Sequence, residues 1–239
     1  MLAGEILLDI IGQRMSPGLL RSSTNAGLGV AVSILIYFIV RYFLKAVALK
    51  TPLVGNLSSL VIGLFIGVFV SVVSGVGYGL LNGYQLQFEN FFTDVHFKAL
   101  VNVFPALSEE IVFRGSIVNA IIQLAGNAWG IAAGSIPFGI LHLLGVLFGN
   151  TVTISQIFGI SFAGMMLSLV YVNFGVCGAF ACHLVWNSLV TGWIKVYGIE
   201  DKAAISSLEG SWVTCTALLI TSILLAFAWR ARVKADAGF

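Results

Sequence analysis

Charge is what this sequence has least of. Lysine and arginine together number 12 and aspartate and glutamate 10 in 239 residues, so 9% of the side chains are charged, where an ordinary soluble domain carries about 25%. That deficit excludes a soluble globular fold. Proline is also scarce, at 4, while apolar residues fill 59% of positions, which excludes intrinsic disorder and a Gly/Pro low-complexity chain. The net charge is only +2 and no basic run is interleaved with aromatics, so nucleic acid is not an expected partner. The 3 cysteines, Cys177, Cys182 and Cys215, are odd in number, lie in apolar stretches and lack CxxC or paired-ligand spacing. They read as small core residues, not as a disulfide frame.

What is there is a series of long apolar segments. A hydrocarbon core of about 30 Å needs roughly 20 apolar residues per helix, so the chain reads as one all-α integral membrane domain over residues 1–239, a polytopic bundle of about seven spans embedded in the lipid bilayer. The expected spans run over Ala26–Ala48, Leu57–Leu81, Phe97–Leu124, Trp129–Phe148, Val152–Val172, Val176–Val196 and Trp212–Trp229. Asn82–His96 and Glu200–Ser211 read as polar connections. Met1–Arg21 lacks the layout of a signal peptide, because Glu5 and Asp9 interrupt its apolar run, and is read as retained. Its apolar residues recur at helical spacing, as in a helix lying in the interface or docking on the cytosolic side. Small residues stand at every fourth position of the second span, from Gly55 to Gly79, a face suited to close packing within the molecule or in a dimer. Cations follow the first span (Arg41, Lys45, Lys50) and the last (Arg230, Arg232, Lys234), which places both regions, and the C-terminus, in the cytoplasm.

An ionisable side chain at mid-span costs at least about 2.5 to 3.5 kcal/mol, so each one needs a reason. They cluster. Ser-Glu-Glu-Ile-Val-Phe-Arg-Gly in the third span holds Glu109, Glu110 and Arg114; the fourth span holds His142; the sixth holds His183 and Asn187. At about 100° per residue, Arg114 lies about 40° round the helix from Glu110 and about 140° from Glu109. The arginine is expected to pair with Glu110, leaving Glu109 without a counter-ion on its own helix. The same arithmetic sets His183 and Asn187 on one face. Pro105 and Pro137 precede Glu109 and His142 by four and five residues, either opening cavities or acting as ordinary membrane-helix prolines.

A carboxylate and an imidazole on neighbouring helices can hold a water and take its proton as it attacks a carbonyl carbon. A second histidine with an asparagine amide can receive the oxyanion. These are the parts of a peptide-bond hydrolase that uses no Ser or Cys nucleophile. In this respect the chain resembles the CPBP intramembrane proteases, the group that includes the type II CAAX prenyl endopeptidases and the Abi-type bacterial proteins. The resemblance rests on Glu-Glu-x-x-x-Arg at Glu109, Glu110 and Arg114, Phe-x-x-x-His at Phe138 and His142, and His-x-x-x-Asn at His183 and Asn187. It covers about residues 100–191, within a motif-bearing core of about 97–196. It implies a membrane endopeptidase in which Glu109 is the general base, His142 helps to hold the water, His183 and Asn187 form the oxyanion site, and Glu110 with Arg114 supports the base. A membrane-associated protein or peptide is then the expected substrate, and a bacterial cell membrane the expected location.

No HExxH occurs, and no cofactor is expected to be required. If a metal such as zinc were used, Glu109, His142 and His183 would be its ligands. Two other classes remain as alternatives: a proton- or ion-coupled transporter whose buried Glu and His relay charge, and a non-catalytic scaffold or bacteriocin-immunity protein. Inverted-repeat character is slight, which counts against transport. Oligomeric state is left open.

Overall fold

The computed structural model describes Phe38, Tyr42 and residues 54–85, 91–143, 152–197 and 207–236. The expected N-terminal helix over Met1–Arg21, nearly all of the first span, the end of the fourth and the Glu200/Asp201 loop lie outside the described residues. Among those described, the secondary structure is helical and no strand occurs. In chain order the elements are α1 (Leu57–Asn82), α2 (Phe91–Val112), a π-helical segment (Phe113–Val118), α3 (Asn119–Ala125), α4 (Asn127–Leu141), α5 (Ile154–Val196) and α6 (Trp212–Asp236).

Among the described residues, three helical runs are long and apolar enough to cross a membrane by length and composition: Leu57–Asn82, Ile154–Val190 and Trp212–Ala235. This identifies an integral membrane protein, while the count of seven is not established. The second of these runs is two arms, not one rod. Gly175 interrupts α5 at φ 78 and ψ −175, a left-handed conformation that a side chain would resist. A straight helix would hold Gly164 and His183 about 28 Å apart. Instead Phe138 touches both: its Cβ lies 3.0 Å from where a Cβ on Gly164 would stand, and its ring centroid is 5.9 Å from that of His183. The chain therefore doubles back at Gly175, as the glycine between the expected fifth and sixth spans suggested.

A turn in hydrocarbon must satisfy its own backbone, and this one is met from two sides. Cys177 N–H donates to Val54 O at 2.8 Å. Arg232 Nη1, near the end of α6, donates to Asn173 O, and its guanidinium lies 5.5 Å from the Phe174 ring centroid. A cation at a helix C-terminus also opposes the negative end of the helix dipole. Residues 54–55, the Gly175 turn and Arg232 thus share one end of the bundle.

The small-residue face of α1 packs within the molecule. A Cβ on Gly63 would come within 2.1 Å of Gly178 O, and one on Gly67 within 2.7 Å of Cys182 O. Asn56 caps the start of this helix through its side chain, accepting from Ser59 N–H at 3.0 Å.

The third expected span differs from its sequence reading in two ways. Its backbone is helical from Phe91, so residues 91–96, including His96, belong to the helix and not to the polar connection. It also widens to π-helix over Phe113–Val118, with Ser116 Oγ donating five residues back to Ile111 O at 3.2 Å. Such insertions are frequent at functional sites. Both Pro105 and Pro137 lie inside helices, α2 and α4 respectively.

The close approach of α1 to α5 generates a stability prediction. Gly63→Ala should lower stability by about 1–3 kcal/mol through overpacking, whereas Val68→Ala, whose valine is 43% exposed, should change it far less. Thermal unfolding of both purified variants in detergent checks this.

Candidate active site

Of the polar residues singled out by sequence, Glu109, Glu110, Arg114 and His183 come together, and His142 is linked to them through Phe138. Glu109 and Glu110 lie in the last turn of α2, Arg114 in the π-helical segment, His142 at the C-cap of α4, and His183 and Asn187 on the second arm of α5. Glu110 and Arg114 are both completely buried. Arg114 Nη1 donates to Glu110 Oε1 at 2.9 Å, the pairing that helical spacing gives. Its Nη2 donates to Gly164 O at 3.0 Å, tying α2 to the first arm of α5.

Glu110 Oε1 serves twice. His183 Nδ1 lies 2.8 Å from that same oxygen, so one carboxylate atom joins Arg114 to the second arm of α5. A carboxylate that accepts from two donors offsets its desolvation by charge-assisted hydrogen bonds. The guanidinium also stands 4.7 Å from the Phe138 ring centroid and 5.7 Å from that of Phe113, where the ring quadrupole favours it.

Glu109 has the opposite environment. Its side chain keeps 34% exposure, and its Oε2 is 3.8 Å from His183 Nε2, too far for a direct hydrogen bond. Adjacent carboxylates on one helix turn thus diverge: one is dry and held by Arg114 and the His183 ring, the other is open and faces an imidazole nitrogen.

His142 Nδ1 lies 2.8 Å from Phe138 O. A carbonyl only accepts, so Nδ1 carries the proton and the neutral ring presents Nε2 as an acceptor. Phe138 is the hub between the histidines, with its ring 5.0 Å from His142 and 5.9 Å from His183 in edge-on contacts. Its T-shaped contact with Phe113, at 4.9 Å, closes the cluster. Asn187 is half-buried one turn beyond His183 on the same arm.

Sequence reading missed Gly164, whose carbonyl receives Arg114, and the Gln156–Glu209 pair. Glu209, in the helical turn before α6, accepts a 2.7 Å hydrogen bond at Oε2 from Gln156 Nε2. Burial pushes its carboxyl above the ordinary range, while the Gln156 hydrogen bond and the charges of His142 and His183 pull it down. No periodic register marked Glu209, which fell in a stretch that reads as a polar connection. Glu109, His142 and His183, the set a metal would take, do not assemble one: among the described residues no three His, Cys, Asp or Glu side chains converge as a metal site.

Two predictions follow from burial. Arg114→Leu leaves Glu110 without its arginine and should cost about 3–5 kcal/mol, with the double variant Arg114→Leu/Glu110→Leu regaining part of the loss in detergent unfolding. The Glu209 carboxyl, raised in the fold, holds its proton more tightly there than in the unfolded chain. Its contribution to folding is therefore most favourable below the ordinary carboxylate range and declines as pH rises through the raised value. Glu209→Gln should flatten that decline when melting temperature is followed from acid to neutral pH.

Comparison with known proteins adds the family. No curated protein and no solved structure matches the chain. The family model described as type II CAAX prenyl endopeptidase Rce1-like matches residues 91–189, the stretch that holds Glu109, Glu110, Arg114, His142, His183 and Asn187. Over that stretch the chain is similar to the Rce1-like type II CAAX prenyl endopeptidases.

Proposed function

We propose that this protein is an intramembrane endopeptidase that hydrolyses peptide bonds of membrane-associated proteins or peptides with water activated by Glu109, and without an obligatory metal. The observation that carries the reading is the division of labour between neighbouring carboxylates: Glu110 is buried against Arg114 and His183, and Glu109 is open beside His183 Nε2. A base must be able to lose and regain a proton in contact with substrate and water. A buried carboxylate committed to two donors is poorly suited to that task.

A water held by Glu109 and by His142 Nε2 gives a proton to Glu109 as its oxygen bonds to the scissile carbonyl carbon. The oxyanion that develops receives Nε2–H of His183 and the amide of Asn187. Because Nδ1–H of His183 is already given to Glu110, a ring that donates from both nitrogens carries both protons. The positive charge then faces the Glu110 carboxylate and the developing oxyanion, both of which stabilise it. On collapse the C–N bond breaks, and the proton on Glu109 passes to the departing amine. Arg114 pairs with Glu110 and so fixes the oxygen that aligns the imidazole.

About seven spans, the C-terminus in the cytoplasm and a bacterial cell membrane complete the proposal. The shared end of residues 54–55 and Arg232 supports a C-terminus on the same side as the loop after the first span.

Comparing membrane-protein half-lives in cells carrying wild type or Glu109→Gln should reveal species that persist only in the variant, and these supply the substrate. Purified Glu109→Gln should then be folded and slower by at least about 10³-fold, and Asn187→Ala slower by about 10²–10³-fold in kcat. Retained turnover in Glu109→Gln contradicts the mechanism, and a half-life pattern identical in both strains favours a scaffold role.

A further inference from the structure

In an α-helix a serine or threonine hydroxyl that bonds its own backbone returns to the carbonyl three or four residues back, as Ser168, Ser188, Thr221 and Ser222 do here. Ser116 reaches five back, to Ile111 O at 3.2 Å. That bond spans the turn that widens over Phe113–Val118, and Ser116 is completely buried.

The neighbouring helices register the extra residue. Along α4, Phe138, Gly134 and Gly130 follow one another in steps of four. The Phe113 and Phe138 rings meet at 4.9 Å, a Cβ on Gly134 would lie 2.8 Å from Val118 Cγ2, and one on Gly130 would overlap Ile122 Cγ1. The matching steps from Phe113 to Val118 to Ile122 are five and then four, so one residue is absorbed between Phe113 and Val118. The first arm of α5 gives the same count. Arg114 Nη2 donates to Gly164 O at 3.0 Å, and Tyr171 Oη donates to Asn119 Oδ1 at 3.0 Å. Gly164 and Tyr171, seven apart, lie about 20° from each other round an α-helix, on one face. Arg114 and Asn119, five apart, would lie about 140° from each other in an α-helix and could not both meet that face. With roughly one more residue in the turn, five residues complete little more than one revolution, and both side chains turn to α5.

We infer that Ser116 is a positioning residue of this site: its hydroxyl holds the widened turn, and the widened turn lets the Arg114 guanidinium reach Glu110 Oε1 and Gly164 O together while Asn119 keeps Tyr171. Its catalytic meaning rests on the proposed protease reaction, and its structural meaning on packing register alone. An ordinary α-turn would keep the four-residue step from Glu110 to Arg114 but send the chain beyond it round by about 100°, so that Arg114 and Asn119 could satisfy α5 only one at a time. Glu110 Oε1 accepts from Arg114 and lies 2.8 Å from His183 Nδ1. A guanidinium drawn away from Gly164 O therefore loosens the oxygen against which the imidazole is set.

Ser116→Ala removes the hydroxyl with little change in volume, and Ser116→Thr keeps it. The first readout needs no substrate: NMR of labelled arginine side chains in micelles, with the Arg114 guanidinium signals assigned by their loss in Arg114→Lys. Those signals should shift and exchange faster with water in Ser116→Ala and hold their place in Ser116→Thr. If the alanine variant does not fold, Ser116→Cys, with a weaker donor of similar size, supplies the same comparison. Unchanged Arg114 signals in the folded variant overturn the inference, whatever the protein catalyses. The second readout is the split between kcat and KM. Ser116→Ala should lower kcat by about 10- to 10²-fold with KM little changed, and Ser116→Thr should restore it. Shifted signals with the kcat of the folded protein intact overturn the catalytic role but leave the protease reading standing. Absence of cleavage in wild type, with the signals still shifting, counts against the protease reading and supports the structural role.

Discussion

One oxygen atom organises this protein. Glu110 Oε1 accepts from Arg114 and from His183, and through those two donors it fixes α2, the π-helical segment and both arms of α5 relative to one another. In a medium without water a carboxylate cannot stay ionised unless donors surround it. The helices must therefore close around Glu110 in one arrangement, since any slip would leave a charge unpaired. The contact that holds Glu110 Oε1 also sets the orientation of the His183 ring and hence the direction of its Nε2 toward Glu109.

The rest of the fold makes room for that arrangement. The reversal at Gly175 returns the second arm of α5 beside the first, so that Gly164 and His183 reach one guanidinium and one carboxylate. The small face of α1 lets the second arm lie close. Phe138 fills the space among His142, His183 and Arg114, offering the cation a ring face and the histidines an apolar wall. A polar site in lipid is thus bounded by aromatic carbon, which limits the water that reaches Glu110 while Glu109 stays open.

Sequence patterns reached much of this. The four-residue step from Glu110 to Arg114 is a property of any α-helix, and the glycine between the fifth and sixth apolar segments marked a real reversal. The family resemblance agreed with the match over residues 91–189. Other features left no local trace. A π-helical segment differs from α by one residue per turn and has no distinct hydrophobic period, so Phe113–Val118 was invisible. His183 read as an oxyanion donor, but that its Nδ1 is held by Glu110 depends on contact between residues 73 positions apart. Glu209 is reached only through its contact with Gln156, 53 positions away, and its surroundings in sequence are those of a loop. The start of α2 was placed six residues late because a mixed polar and aromatic stretch resembles a connection as much as a first helical turn.

Glu110 aligns His183 by a direct, energetically coupled contact. A double-mutant cycle of Glu110→Gln and His183→Gln, read as unfolding free energy in mixed micelles, tests it without reference to any substrate. The account predicts strong non-additivity, with a coupling of about 1–3 kcal/mol for groups sharing one buried hydrogen-bonded network. Losses that simply add would mean that the two side chains do not depend on each other, and the account of the site would fail with them.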